Sequence, residues 1–152
     1  MTATVSATWT TPTGAQCVAT GSGGHSIVLD APNGRAQWAG FKPSELVLAA
    51  LLGCTGVDFT SILAKQRQAV TSISAEASGE QHQDPPWAFR HIEVVFTVAG
   101  HNLDPHAVDR ALILAVEGYC SVGATLAGRA SITHRAVISS DVAPVVAPAA
   151  AS

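Results

Sequence analysis

The sequence predicts an α+β fold in which antiparallel sheets pack around a long helix, and three observations carry that prediction. Short strand-like segments fill the N-terminal third. A helical stretch from Lys42 to Gln68 follows, whose segment Leu46 to Leu52 is apolar on every face. After it the pattern switches to period two, as in half-buried strands. The resulting order, β-β-β, long helix, β-β, helix, β, keeps strands and helices apart, which defines the α+β class. A helix that is apolar all round is expected to be buried all round. Helices packed between sheets from two subunits are the natural way to achieve that.

Taken in order, Thr4 to Trp9 alternates, with Val5, Ala7 and Trp9 on one side, and Thr11-Pro12-Thr13-Gly14 reads as a turn. Gln16 to Thr20 and His25 to Leu29 are the next two strands, separated by Gly21-Ser22-Gly23-Gly24, and the three together predict an antiparallel meander. Asp30 to Gly40, with Pro32 and Asn33-Gly34, is a loop that also carries Arg35 and Trp38. The long helix then starts at Pro43, where the missing N–H is harmless, with Glu45 in the first turn and Lys65 and Arg67 near the far end, each sign matching the helix dipole. Gly53 and Gly56 flank Cys54 and weaken the helix by roughly 1 kcal/mol each relative to alanine. Their return is close approach of another element near the sulfur.

Ile73, Ala75 and Ala77 alternate with Ser74, Glu76 and Ser78, and Ile92, Val94, Phe96 and Val98 alternate with His91, Glu93, Val95 and Thr97. Between these strands Pro85-Pro86 stops the pairing, and Trp87 stands ready to cover an apolar pocket. Asp104-Pro105 is an N-cap followed by proline at the first helical position. That helix runs to about Tyr119 and ends at Cys120. Another helical turn or two is expected over Val122 to Arg129 and a last strand over Ser131 to Ser139. Residues 1–141 are read as a single domain. The Ala/Pro tail of 142–152 has no core signature and is expected to be disordered.

Composition narrows the function. The chain has 152 residues, 47% hydrophobic and only 12% charged, which is too few charges to cover a monomer generously and points to a large subunit interface. A net charge of -3 argues against a nucleic-acid partner. No uninterrupted apolar run reaches the roughly 18 residues of a membrane span, and the N-terminus lacks signal-peptide regions, so no membrane association is expected and the location is read as cytoplasmic. In that compartment Cys17, Cys54 and Cys120 are no disulfide framework. Their spacing and the scattered six histidines argue against a metal site, and no cofactor is expected.

What remains for the cysteines is inert burial or redox chemistry. Cys54 reacts only with a lowered thiol pKa and partial access; otherwise it is a small hydrophobe. Asp58, one turn on, would raise that pKa. Glu45 lies nine residues before Cys54, on the opposite face of an ideal helix, and a first-turn carboxylate has a structural reading of its own.

The segment PSELVLAALLGCTGVDFTSILAKQRQ, followed by two strands, the Asp104-Pro105 helix and GYCSV, resembles the OsmC family (osmotically inducible protein C) and its organic hydroperoxide resistance relatives. The resemblance runs from about Val5 to Ser140. It implies an intertwined homodimer with two long central helices, an active site at the subunit interface, and cysteine-dependent reduction of organic hydroperoxides, renewed by a dithiol reductant. Cys54 then matches the peroxidatic cysteine, Cys120 the resolving one, and Glu45 a catalytic carboxylate. The peroxidase members also carry an arginine in the N-terminal strand region and a glutamate directly after the proline. Here no arginine precedes Arg35, and Ser44 follows Pro43 with Glu45 one place later, a pattern closer to the OsmC-like branch. The alternatives are a non-catalytic dimer binding an apolar small molecule, with Trp38 and Trp87 as lining candidates, and a dimer whose cysteines are merely packed.

Overall fold

The computed structural model describes residues 2–10, 15–31 and 38–140. The turn expected at 11–14, Arg35 and the tail 142–152 lie outside the described residues. The chain divides into two compact units, one up to Val47 and the other from Leu48 on.

In the first unit β1 (Val5–Trp9), β2 (Cys17–Gly21) and β3 (Ser26–Leu29) form an antiparallel meander, with Ala7 opposite Ala19 and Ala19 opposite Ile27. Beyond the loop the chain returns beside β3. Phe41 N–H donates to Val28 O at 3.0 Å, and Asp30 N–H to Phe41 O at 2.9 Å. This return needs Gly40, because a Cβ there would run into the Val28 carbonyl.

α1 (Pro43–Lys65) opens on a reciprocal cap: the Glu45 carboxylate reaches back to the backbone N–H of Lys42 at 3.0 Å. From Leu48 on, its buried residues are Leu51, Thr55, Phe59, Ile62 and Leu63, a stripe at helical spacing. Phe59 meets Phe96 edge to face at 5.1 Å between ring centroids. Within one chain only one side of the helix is covered, and Ala49, Ala50, Gly53 and Val57 face outward. The reason is that one sheet covers one face of a helix. By length and composition alone α1 as a whole is long and apolar enough to cross a membrane, more than the apolar run expected from the sequence. Its buried stripe packs with Ile92, Val94 and Phe96 in one cluster, which makes it a core helix.

β4 (Ala69–Gln81) and β5 (Phe89–His101) form a long antiparallel hairpin, with Ala75 opposite Phe96. Ile92, Val94, Phe96 and Val98 point into the core, as their alternation predicts. Then come α2 (Pro105–Leu114), a π-helical turn (Ala115–Tyr119), α3 (Ser121–Leu126) and β6 (Ser131–Ser139). Asp104 caps α2 by accepting from His106 N–H at 2.9 Å. β6 runs parallel to β5, with Phe96 opposite Ala136, so the second sheet is mixed and not antiparallel as expected. The helical crossover from β5 to β6 supplies the long connection that a parallel pair requires.

Candidate active site

Cys54 lies half-buried in the middle of α1, one residue before the fully buried Thr55. The segment that meets it is the junction between the π-helical turn and α3. The π turn closes with Cys120 N–H donating to Ala115 O at 3.0 Å, a five-residue step. Such turns are frequent at functional sites. Cys120 then leaves helical geometry (φ -73, ψ 91) and becomes the N-cap of α3, its sulfur accepting from Gly123 N–H at 3.3 Å. The close approach depends on Gly123, since a Cβ there would stand 3.3 Å from Cys120 Sγ and 3.7 Å from Leu51 Cδ1.

Three contacts tie this junction to α1. Ser121 Oγ is 3.7 Å from Cys54 Sγ, within sulfur hydrogen-bond range. The Thr55 hydroxyl donates to Cys120 Sγ at 3.2 Å. The Cys120 side chain is the third, close enough to Cys54 to lower its pKa. The Cys54 thiol is held below its ordinary pKa. The backbone of Val122 contributes most and partial burial opposes it; the side chains of Ser121 and Cys120 and the backbone of Ser121 add to the lowering. All these groups are neutral, so the lowering comes from hydrogen bonding rather than from a neighbouring cation. Asp58, expected to raise this pKa, is not among the groups that set it.

The structure thus brings Cys54 and Cys120 together. Glu45 belongs to the first unit, where its carboxylate accepts from Lys42 N–H and stands 3.7 Å from Lys42 Nζ. Cys17 is buried on β2 opposite Trp9 and Leu29. Trp38 lies under Lys42 Nζ, 4.7 Å from its ring centroid, and Trp87 follows the Pro85-Pro86 turn, 55% exposed. Neither lines the cavity of about 410 Å³ between α2 and β6, which Leu112, Ile113, Val116 and His134 help to form. Among the described residues no three His, Cys, Asp or Glu side chains gather as metal ligands.

The sequence reading missed Thr55, Ser121, Val122 and Gly123. Each is a neighbour of a cysteine already singled out, and the polar Thr55 in an otherwise apolar stripe was the available signal.

Comparison with known proteins adds the following. The family model described as OsmC-like protein matches residues 34–135. Protein YhfA of Escherichia coli (strain K12) is 39% identical over 111 residues, 73% of this chain and 81% of YhfA. A hypothetical protein from Aquifex aeolicus VF5 has a crystal structure similar at a TM-score of 0.75 and 26% identity, over 91% of this chain and 98% of its own. The organic hydroperoxide resistance protein OhrB of Bacillus subtilis shares the fold at a TM-score of 0.62 and 21% identity, over 90% of this chain and 98% of its own.

Proposed function

This chain belongs to the OsmC-like protein family, and on that premise we propose that it is a cysteine-dependent peroxidase that reduces organic hydroperoxides. The observation that carries the reading is the half-buried Cys54 thiol, which has Ser121 Oγ 3.7 Å from its sulfur and is held below its ordinary pKa by the backbone of Val122 and the side chains of Ser121 and Cys120. The substrate class is the one in the name of the Bacillus subtilis fold neighbour.

In this scheme the Cys54 thiolate attacks the terminal oxygen of the hydroperoxide and the O–O bond breaks. The sulfur gains that oxygen as a sulfenic acid, and the leaving alkoxide takes a proton to depart as an alcohol. Cys120 then attacks the Cys54 sulfur; its thiol proton and the sulfenic hydroxyl leave as water, and a Cys54–Cys120 disulfide remains. An external dithiol reopens the disulfide by exchange and is itself oxidised. Glu45 serves the start of α1 through Lys42.

The working form in this proposal is a homodimer in which the α1 helices of two copies pack together. Support comes from apolar surface that a single chain leaves uncovered. Val57 on the outer face of α1 is 70% exposed, and every residue of β1 is exposed, Val5 at 69% and Trp9 at 58%. Sedimentation at low micromolar concentration is expected to give one dimeric species; a folded monomer there would contradict the assembly.

The test of activity is consumption of a small and a lipid-like organic hydroperoxide, each with several dithiols. Turnover with at least one pairing is expected. If Cys54 stays a thiol and every hydroperoxide persists, the peroxidase reading is overturned.

A further inference from the structure

We propose that Thr55 is a positioning residue of this site: its buried hydroxyl fixes Cys120 so that the Cys120 thiol directs its hydrogen at Cys54 Sγ. The inference rests on the assignment of Cys54 as the attacking sulfur and adds a residue to it.

The argument begins with how threonines behave on the helices of this chain. A threonine inside a helix ordinarily returns its hydroxyl hydrogen to a carbonyl one turn back. Thr60 does so, donating to Val57 O at 3.0 Å, and Thr125 does so, donating to Ser121 O at 2.8 Å. Thr55 instead donates to the sulfur of a residue 65 positions away, at 3.2 Å. Its position makes this choice costly. Thr55 is fully buried in the stripe with Leu51 and Phe59, where valine would fill the same volume without a polar group to satisfy. A hydroxyl retained in a core stripe breaks the local apolar pattern, and such breaks concentrate at functional sites.

The hydrogen bonds have one consistent direction. Thr55 O–H and Gly123 N–H both donate to Cys120 Sγ, at 3.2 and 3.3 Å. With its acceptor side engaged twice, the Cys120 S–H is oriented and polarised as a donor, because hydrogen bonds in a chain strengthen one another in a buried setting. The group it acts on is Cys54, the residue before Thr55, whose sulfur lies 3.7 Å from Oγ of Ser121, the residue after Cys120. After Cys54 is oxidised the same two donors hold Cys120 Sγ toward it and meet the charge that develops as Cys120 attacks. Among the described residues, no titratable side chain of another kind is a cause of the Cys54 shift. α3 carries none, and neither Asp58 of α1 nor Glu117 and Tyr119 of the π turn act on Cys54.

The relay is tested without peroxide, by following alkylation of Cys54 with iodoacetamide against pH, resolved by mass spectrometry in the full-length protein. Thr55→Val is expected to move the midpoint upward and to slow alkylation at pH 7 by about threefold, the order of one neutral hydrogen bond acting through a neighbour. Thr55→Ala supplies the same readout where the isosteric variant loses yield. Thr55→Ser restores the wild-type profile. In a Cys120→Ala background Thr55→Val causes no further change, since the relay is already cut. A folded Thr55→Val protein with an unshifted midpoint, or one that shifts equally without Cys120, overturns the proposal. Because the readout is alkylation, these outcomes hold whether or not the protein turns over hydroperoxide, so the relay and the peroxidase reading fail separately.

Discussion

Cys54 and Cys120 are the same chemical group in opposite circumstances. Cys54 sits in mid-helix, half-exposed, its sulfur ringed by donors from another segment. Cys120 is buried at a break between two helical pieces, its sulfur engaged by Thr55 and Gly123. Access belongs to the first and order to the second. A sulfur that must meet a substrate needs an approach and a stabilised anion; one that must close a disulfide needs only to be held beside its target. In the proposed peroxidase, attack falls to Cys54 and resolution to Cys120, and the contrast can be broken at either sulfur.

The largest effect is expected from Cys54→Ser. A hydroxyl at that position is not an anion near neutral pH, so hydroperoxide consumption should fall to background in a stopped assay. Residual turnover through Cys120 would erase the asymmetry. Cys120→Ser comes next: one equivalent of hydroperoxide should be consumed per subunit and then no more, leaving a Cys54 sulfenic acid that a dimedone probe captures.

Ser121→Ala sharpens the comparison from the Cys54 side. It removes one neutral donor, so Cys54 should titrate higher and its reaction at pH 7 should slow about two- to fivefold, with disulfide closure little changed. The pH dependence has a definite sign. The folded site lowers the Cys54 pKa, so the thiolate persists below the range of an ordinary thiol. The rate constant with hydroperoxide should stay level as pH falls through that range and drop only at the lowered value. Ser121→Ala should bring the drop in at higher pH. The smallest effect belongs to Cys17→Ser on β2, which should leave consumption unchanged.

Much of this architecture was legible before any coordinates. The alternation Ile92, Val94, Phe96, Val98 and the pair Asp104-Pro105 act through local rules, and β5 and α2 follow them. The parallel pairing of β6 was not legible. Ser131–Ser139 reads as a strand in either direction, and its orientation is set by the crossover before it. For α1, Leu46 to Leu52 shows only that no face is polar. Which face a sheet covers depends on the partner elements. The site divides in the same way. Two cysteines and their order along the chain stand out in the sequence, whereas Thr55 and Ser121 gain meaning only when the π turn carries Cys120 back to α1. Long-range contact gave them their role, and no spacing rule reports it.

The central claim is that one sulfur attacks and the other closes on it. The most direct measurement treats the wild-type protein with one equivalent of an organic hydroperoxide, blocks free thiols, and maps the cysteines by peptide mass spectrometry. The account predicts a Cys54–Cys120 disulfide within one chain, Cys17 alkylated, and full reversal by a dithiol. Cys54 and Cys120 both recovered as alkylated thiols, or either one found paired with Cys17, would contradict it.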